Sequence, residues 1–479
     1  MLTYSFENIN CPIYEYIYER IRQDILNGSL APGEKLPSKR SFAKNNGIST
    51  ITVQNAYDQL ISEGYLFTLP KKGYYVSNIS GLILGAKTSG SSVVTGCGSA
   101  APDNNNNNNN RSNNTNSNVL LDLSVNRTDP SLFPFSVWAR IMRGVISEKS
   151  AGLMTPSPTG GIPELRAAIA GHLRSFRGIS VSPDQIIIGA GTEYLYSLLI
   201  QLLGPDRVYC TENPGYRKLT KIYSQYNVRC RFAEMDDCGI IVDEIERNNA
   251  DIAHISPTHH FPTGITMPAA RRYEVLNWAY SASDRYIIED DYDSEFRQNG
   301  RPIPPLLSID TAGRVIYINT FSKSLTPTIR ISYMVLPPAL AAEFNRRLSF
   351  YSCTVSNFEQ YTLAEFISGG WFEKHINRLR LYYIKKRRAI LQCLAEGPLK
   401  GRCSCIENDS GLHFLLCLNT SLTDSEVSGK LRQHGINIDA LSDYFLDGSR
   451  RDTGKFLINY SNINVEDFRN AISIIAEVI

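Results

Sequence analysis

VIYINTFSKSLTPTIR, residues 315–330, is an apolar run that stops in a turn crowded with hydroxyls around one lysine. Such a run, rich in β-branched residues, reads as a strand buried on both faces, as in a parallel sheet covered by helices. Ligands of these sheets bind beyond the carboxyl ends of the strands. Chemistry is therefore expected at the turn carrying Thr320, Ser322, Lys323 and Ser324, with Arg330 beyond it. Upstream, YIIEDDYD at 286–293 repeats the arrangement: an apolar run, then Asp290 and Tyr292 two residues apart, which on extended backbone face the same side. Three more runs end in the same way, QIII before GAGTEYLYSLLIQLL, RVYC before TENPGYRK, and DIAHIS before PTHHFPTG. From about Val119 such runs alternate with amphipathic stretches of helical period, which predicts an α/β domain with a mostly parallel sheet.

The five strand ends supply the parts of one binding site. A carboxylate beside a phenol suits a flat heteroaromatic ring, with Asp290 keeping a pyridine nitrogen protonated and Tyr292 bonding a ring oxygen. Lys323 supplies an amine for a Schiff base, while Thr320, Ser322 and Arg330 supply a phosphate clamp. Gly191 and Thr192, at a strand-to-helix turn, offer N–H groups and a hydroxyl to the same phosphate, and Tyr216 stands on the rigid NPGY turn. Each part alone has an ordinary structural explanation: a capping aspartate, a solvated lysine, a tight glycine turn, a packed tyrosine. Together they point to pyridoxal 5'-phosphate (PLP) as the cofactor. No histidine or cysteine spacing calls for a metal, and Cys403 and Cys405 are separated by one residue rather than the two of a zinc or redox motif.

Ahead of this module the composition turns to Gly, Ser and Ala and then to an asparagine tract, DNNNNNNNRSNNTNSN. Such sequence offers little to bury against its ordering entropy, so residues 79–118 are expected to be a flexible linker between a head at 1–78 and an effector module at 119–479. In the head, Ile13, Ile17, Ile21 and Ile25 mark one amphipathic helix that stops at Gly28. A second runs from about Pro37 to Gly47, and a third starts at Ser49 as N-cap. GYLFTLPKKGYYV reads as a hairpin with Lys71, Lys72 and Gly73 at its tip, completing a winged helix-turn-helix. A lysine cluster alone describes a solvated face equally well. Here Lys35, Lys39, Arg40, Lys44, Lys71 and Lys72 fall on the turn, second helix and wing, while Ser49, Thr50, Thr52 and Gln54 open the third helix, where they reach base edges or phosphates. Operator DNA is the expected partner.

The whole chain gives no such signal, since its net charge is only +2. Its 479 residues exceed what one core supports, which agrees with several domains. No stretch is long and apolar enough for a membrane span, and MLTYSFENIN lacks the basic and apolar regions of a signal peptide. A soluble cytoplasmic protein with reduced, structural cysteines is expected.

The stretch LPSKRSFAKNNGISTITVQNAYDQLISEGYLFTLPKKGYYV is similar over its whole length to the DNA-binding domain of the GntR family. From about Leu120 the chain resembles fold-type I aminotransferases through SPTGGIPELRAAIAGHL, NPGY, HHFPTG, EDDYDSEF and TFSKSLTPTIRISYMVLP. The combination resembles the MocR/GabR subfamily of PLP-dependent regulators. The resemblance implies a large α/β domain, a smaller C-terminal α+β domain, and a head-to-tail homodimer on a paired operator. It also implies Lys323 as Schiff-base lysine, Asp290 at the pyridinium nitrogen, Tyr292 at the ring hydroxyl, Tyr216 near the ring, and Gly191, Thr192, Ser322 and Arg330 around the phosphate.

Two positions depart from the enzymes. Phe261 stands where an asparagine usually bonds the cofactor ring, and Lys455 aligns with the arginine that binds the substrate carboxylate, a role open also to Arg217, Arg450 or Arg451. The expected function is a transcription regulator in which an amino compound exchanges with the internal aldimine on Lys323 and alters operator binding. An aminotransferase with a DNA-binding head, and a sensor of PLP itself governing vitamin B6 synthesis, are the alternatives. The sequence leaves catalytic turnover open.

Overall fold

The computed structural model describes residues 4, 6, 11–69, 72–79, 121–124, 129–297, 303–407, 411–449 and 451–479. The expected linker apart from Ile79, and also Lys71 and Arg450, lie outside the described residues.

The head is built from helices α1 (Ile13–Leu26), α2 (Lys39–Asn46) and α3 (Thr50–Ser62) against a three-stranded sheet. Its strands β1 (Lys35–Leu36), β2 (Leu66–Leu69) and β3 (Gly73–Val76) run in the order β1-β3-β2. Ile17, Ile21 and Ile25 of α1 are buried with Phe42, Val53, Tyr57 and Leu60, so the isoleucine spacing serves as the core stripe. Serines cap the next two helices: Ser38 Oγ accepts from Ser41 N at 3.1 Å and Ser49 Oγ from Ile51 N at 3.2 Å. Pro37 stands outside α2, and its carbonyl takes the Tyr57 phenol at 3.1 Å. Gly47 ends α2 at φ 65, a left-handed conformation that favours glycine. The strand β1 pairs Lys35 with Tyr75 and was not read from the sequence, because two residues carry no period.

The large domain is an eight-stranded sheet ordered β5-β12-β11-β10-β9-β6-β7-β8. These are Ile186–Gly189 (β5), Val208–Asn213 (β6), Arg229–Asp236 (β7), Gly239–Ile240 (β8), Ile252–Ile255 (β9), Tyr286–Asp290 (β10), Val315–Thr320 (β11) and Ser332–Val335 (β12). Neighbours from β11 through β7 are parallel, while β12 and β8 are antiparallel, giving the mostly parallel α/β sheet expected. A smaller antiparallel sheet in the C-terminal region, β13 (Cys403–Ile406), β14 (His413–Leu418), β16 (Asp439–Ala440) and β17 (Lys455–Asn459), packs with the helices Trp371–Glu396 and Val465–Val478. The start of the module is tied to it, since β4 (Leu121–Asp122) pairs in parallel with β15 (Ile436–Asn437). Among the described residues no helix is long and apolar enough to cross a membrane.

Head and module meet at the end of α3. Ala269 N donates to Glu63 O at 2.9 Å, and Arg297 Nη2 donates to Ser62 Oγ at 2.6 Å. Ala269 packs into the core of the head, and Gly64 lies so close to Pro268 that a β-carbon there would collide with it. Glu63 is buried and accepts from the Tyr18 phenol at 2.7 Å and from Gln59; burial pushes its carboxyl above the usual range despite both bonds.

Candidate functional site

At the carboxyl ends of the parallel strands lies a cavity of about 390 Å³. Thr192, Tyr216, Asp290, Tyr292, Thr320, Ser322, Lys323 and Arg330 all line it, although they come from four separate segments of the sequence. Gly191 stands behind them as the N-cap of the helix Thr192–Leu203, at φ 94, where a β-carbon would run into the Arg330 guanidinium.

Asp290 ends β10, where its Oδ2 accepts from the Tyr196 phenol at 2.5 Å and faces His254 Nε2 at 3.9 Å. Its Oδ1 and the His254 Nε2 are buried without a hydrogen-bond partner. A buried carboxylate oxygen with nothing to accept is costly, so it suits a cationic N–H from a ligand. Tyr292 holds its phenol 3.2 Å from His259 Nδ1, and burial with Asp293 and Asp290 nearby raises its pKa well above the ordinary value. It stays a neutral phenol. Burial lowers the Lys323 ammonium below the lysine range, against the pull of Asp293, which makes more of the free amine available near neutrality.

The opposite end of the cavity is cationic. Arg330, at φ 51, and Lys218 both pair with the Glu193 carboxylate, which stands one residue inside the helix that Gly191 caps. Burial alone would raise Glu193, but the hydrogen bonds from Lys218 and Arg330 hold it below the usual carboxylate range. Beside it, Thr320 Oγ1 lies 3.0 Å from Ser322 Oγ and accepts from Ser322 N at 3.2 Å and from Ser332 Oγ at 2.8 Å. Two cations, a hydroxyl cluster and a helix N-terminus make an oxyanion cradle.

The third wall is aromatic. Phe261 meets Tyr216, His413 and Tyr444 edge-on at ring separations of 6.0, 5.5 and 5.3 Å, and it packs with Leu415, Leu441 and Leu457. The residue in the enzymes' asparagine position thus seals the large domain to the small one. Lys455 does not line the cavity: it begins β17 opposite Cys417, while Asn459 at the other end of that strand does line it. Arg217 lies 3.9 Å from Asp439 and over the Tyr444 ring at 4.8 Å, and Arg451 pairs with Glu234 at 3.3 Å.

Several lining groups were not read from the sequence. Tyr196 follows Thr192 by one helical turn, a spacing that signals a shared face. Glu212 is buried at the end of β6, accepts from Ser256 N at 2.9 Å, and has its pKa pushed up to about 8 by burial, with Asp290 adding to the rise. His413 and Asn459 sit opposite one another on β14 and β17, a register that only strand pairing reveals. Behind the cavity His259 Nδ1 bonds Asp293 Oδ2 at 2.9 Å, and the ligand atoms of these two and His413 lie within 4.8 Å of one another.

On the head, Arg40, Ser49, Thr50, Gln54 and Lys72 are exposed, Thr52 and Lys39 are half-buried with Lys39 Nζ 5.8 Å above the Tyr74 ring, and Gly73 opens β3 at φ 114.

Residues 13–76 match the family described as bacterial regulatory proteins, gntR family, and residues 118–475 match aminotransferase class I and II. The chain is 34% identical over 461 residues to the uncharacterized HTH-type transcriptional regulator YhdI of Bacillus subtilis, covering 96% of this chain and 94% of that protein. It is 30% identical to the HTH-type pyridoxine biosynthesis transcriptional regulator PdxR of Corynebacterium glutamicum, covering 91% and 89%. Among solved structures it is similar to the multiple substrate aminotransferase of Thermococcus profundus, at 25% identity and a TM-score of 0.66 over 76% of this chain and 91% of that one.

Proposed function

Because the chain belongs to the HTH-type transcriptional regulators that join a gntR head to an aminotransferase class I and II module, we propose that PLP occupies the cavity and a small amino compound acts there as effector. When bound, PLP supplies an aldehyde carbon that joins reversibly to a primary amine. The residues fit that group. Asp290 Oδ1, buried and without a partner, would accept from the ring nitrogen; the neutral Tyr292 phenol would donate to the ring oxygen; Arg330, Ser322, Thr320 and Thr192 would hold the phosphate. Lys323, with its pKa lowered, would be the amine that an effector must displace.

The observation that carries this reading is the Asp290 oxygen lacking a partner in a cavity that Lys323 also lines. Phe261 lacks the amide that bonds the cofactor ring in the enzymes, and Lys455, at the far end of β17, lacks the fork that a carboxylate needs, which together favour sensing over amino-acid turnover. The head and module are expected to act in a dimer on paired half-sites, with effector binding shifting the population of two arrangements. The likeness to a pyridoxine biosynthesis regulator favours a second reading, in which PLP is itself the signal.

Titration of the protein with PLP should give a visible absorbance band that amines displace, and Lys323→Ala should lack it. Operator affinity measured with PLP alone and with PLP plus an amine panel separates the readings: a response to PLP alone favours the PLP sensor, and one that needs an amine favours the amine sensor. Absence of any PLP band would overturn both.

A further inference from the structure

The DNA-facing helix α3 presents a side that carries no positive charge. Val53, Ala56, Tyr57 and Leu60 are buried against α1 and α2, so the opposite stripe is fixed by helical period as Ile51, Gln54, Asn55 and Asp58, all exposed. No Lys or Arg occurs anywhere in TITVQNAYDQLIS. Among the described residues the head's exposed cations lie elsewhere, Arg20 on α1, Lys35 on β1, Arg40 and Lys44 on α2 and Lys72 on the wing, and those on α2 and the wing suit phosphates. Ile51 is 70% exposed in the first turn of α3, beside the Ser49 cap.

These residue types have defined partners in a major groove. Guanine is read chiefly by Arg or Lys at O6 and N7, which this face cannot do. Gln and Asn pair with adenine N6 and N7, and an apolar side chain meets the C5 methyl of thymine. Asp58 stands four residues beyond Gln54, about 6 Å along the axis. Its charge repels phosphate, which confines base contacts to the first two turns. We propose that this face selects A·T pairs, with Gln54 and Asn55 on adenine and Ile51 on a thymine methyl, and that α3 itself reads no guanine. The proposal rests on the head's DNA binding and is independent of what fills the cavity.

The test is selection of duplexes from a random library by the full chain, with and without PLP, then anisotropy on the selected site. Cores of A·T pairs are expected. Replacing the contacted thymine by uracil, which removes only the methyl and leaves the protein intact, should weaken wild type roughly four-fold and leave Ile51→Ala unaffected. Gln54→Ala should weaken binding roughly ten-fold and relax selection at one adenine. Selected cores without A·T pairs, or uracil without effect at every core thymine, would overturn the proposal while DNA binding stands. No enrichment of any duplex would overturn the DNA-binding assignment along with it.

Discussion

Arg297 Nη2 donates to Ser62 Oγ at 2.6 Å, joining the loop that follows the cavity strand to the last residue of α3. Arg297 follows Asp290 by seven positions, and the stretch between them is held at several points. Asp291 pairs with Arg177 at 2.5 Å and accepts from the Tyr317 phenol at 2.6 Å, Asp293 holds His259 at 2.9 Å, and Arg380 Nε donates to the Arg297 carbonyl at 3.0 Å. A change at the cavity floor therefore has a short, stiff route to the head. Coupling along such a route needs a measured free energy, and position alone is not enough.

Arg297→Ala removes the side-chain link and leaves the cavity residues in place. The expected outcome is a PLP absorbance titration close to wild type, with the effector's influence on operator affinity reduced by at least half. Loss of a buried charged hydrogen bond should also lower stability by about 1–3 kcal/mol, read by urea unfolding. Equal effector responses in variant and wild type would place the coupling elsewhere.

Glu193 offers a second handle. Its carboxylate already engages Arg330 and Lys218, so an incoming phosphate competes with it for both cations. Glu193→Gln removes that competitor, and PLP and inorganic phosphate should bind several-fold more tightly in direct titrations. Weaker binding would identify Glu193 instead as the group that aims Arg330.

What the sequence made legible follows from strand geometry. Asp290, Tyr292, Lys323 and Arg330 sit at the ends of apolar runs, and the rule that ligands bind there needs no tertiary information. Gln54 and the Ser49 cap were legible from the helix start. Lys455 and Leu457 show the limit. Both precede Asn459 in β17, and alternation alone puts all three on one face. Only the pairing with β14 shows that Leu457 joins the Phe261 cluster, while Lys455 lies about 13 Å from Asn459 at the strand's other end. Glu212 was missed because a strand-end glutamate reads as solvated until its burial is known.

That burial has a pH signature. Glu212 titrates at about 8 in the folded chain because burial disfavours its charge, well above an exposed glutamate. A raised carboxyl pKa contributes stability that is complete below the unfolded value, near 4.3, and is lost as pH rises through the folded one. Glu289, raised to about 7, and Glu295, raised to about 8, act in the same direction, again chiefly through burial. Below about pH 6.5 His172, His260 and His375, held by burial at about 4, 3 and 4, oppose these carboxyls, so the net fall in stability should appear between about pH 6.5 and 8, each proton contributing up to about 1.4 kcal/mol per pH unit. Glu212→Gln should flatten that slope by one proton's share in urea unfolding curves taken across the window. A slope identical to wild type would mean that Glu212 titrates as an exposed carboxylate.

Phe261 offers a test of the proposed sensing role of the cavity. Substituting Asn puts back the side chain that the enzymes usually carry, yet it removes a ring that meets Tyr216, His413 and Tyr444 and packs on Leu457. Since that ring is half-buried, its loss should cost about 1–3 kcal/mol, below the range for a fully enclosed phenylalanine. Nothing in the exchange supplies a carboxylate fork, because Lys455 stays at the far end of β17 and Arg217 stays on Asp439 and Tyr444. Phe261→Asn should therefore unfold at lower urea, with looser contact between the two domains, and should form no keto acid from amino acids supplied with PLP. Steady transamination by that variant would show that the aromatic wall alone had been holding an aminotransferase silent.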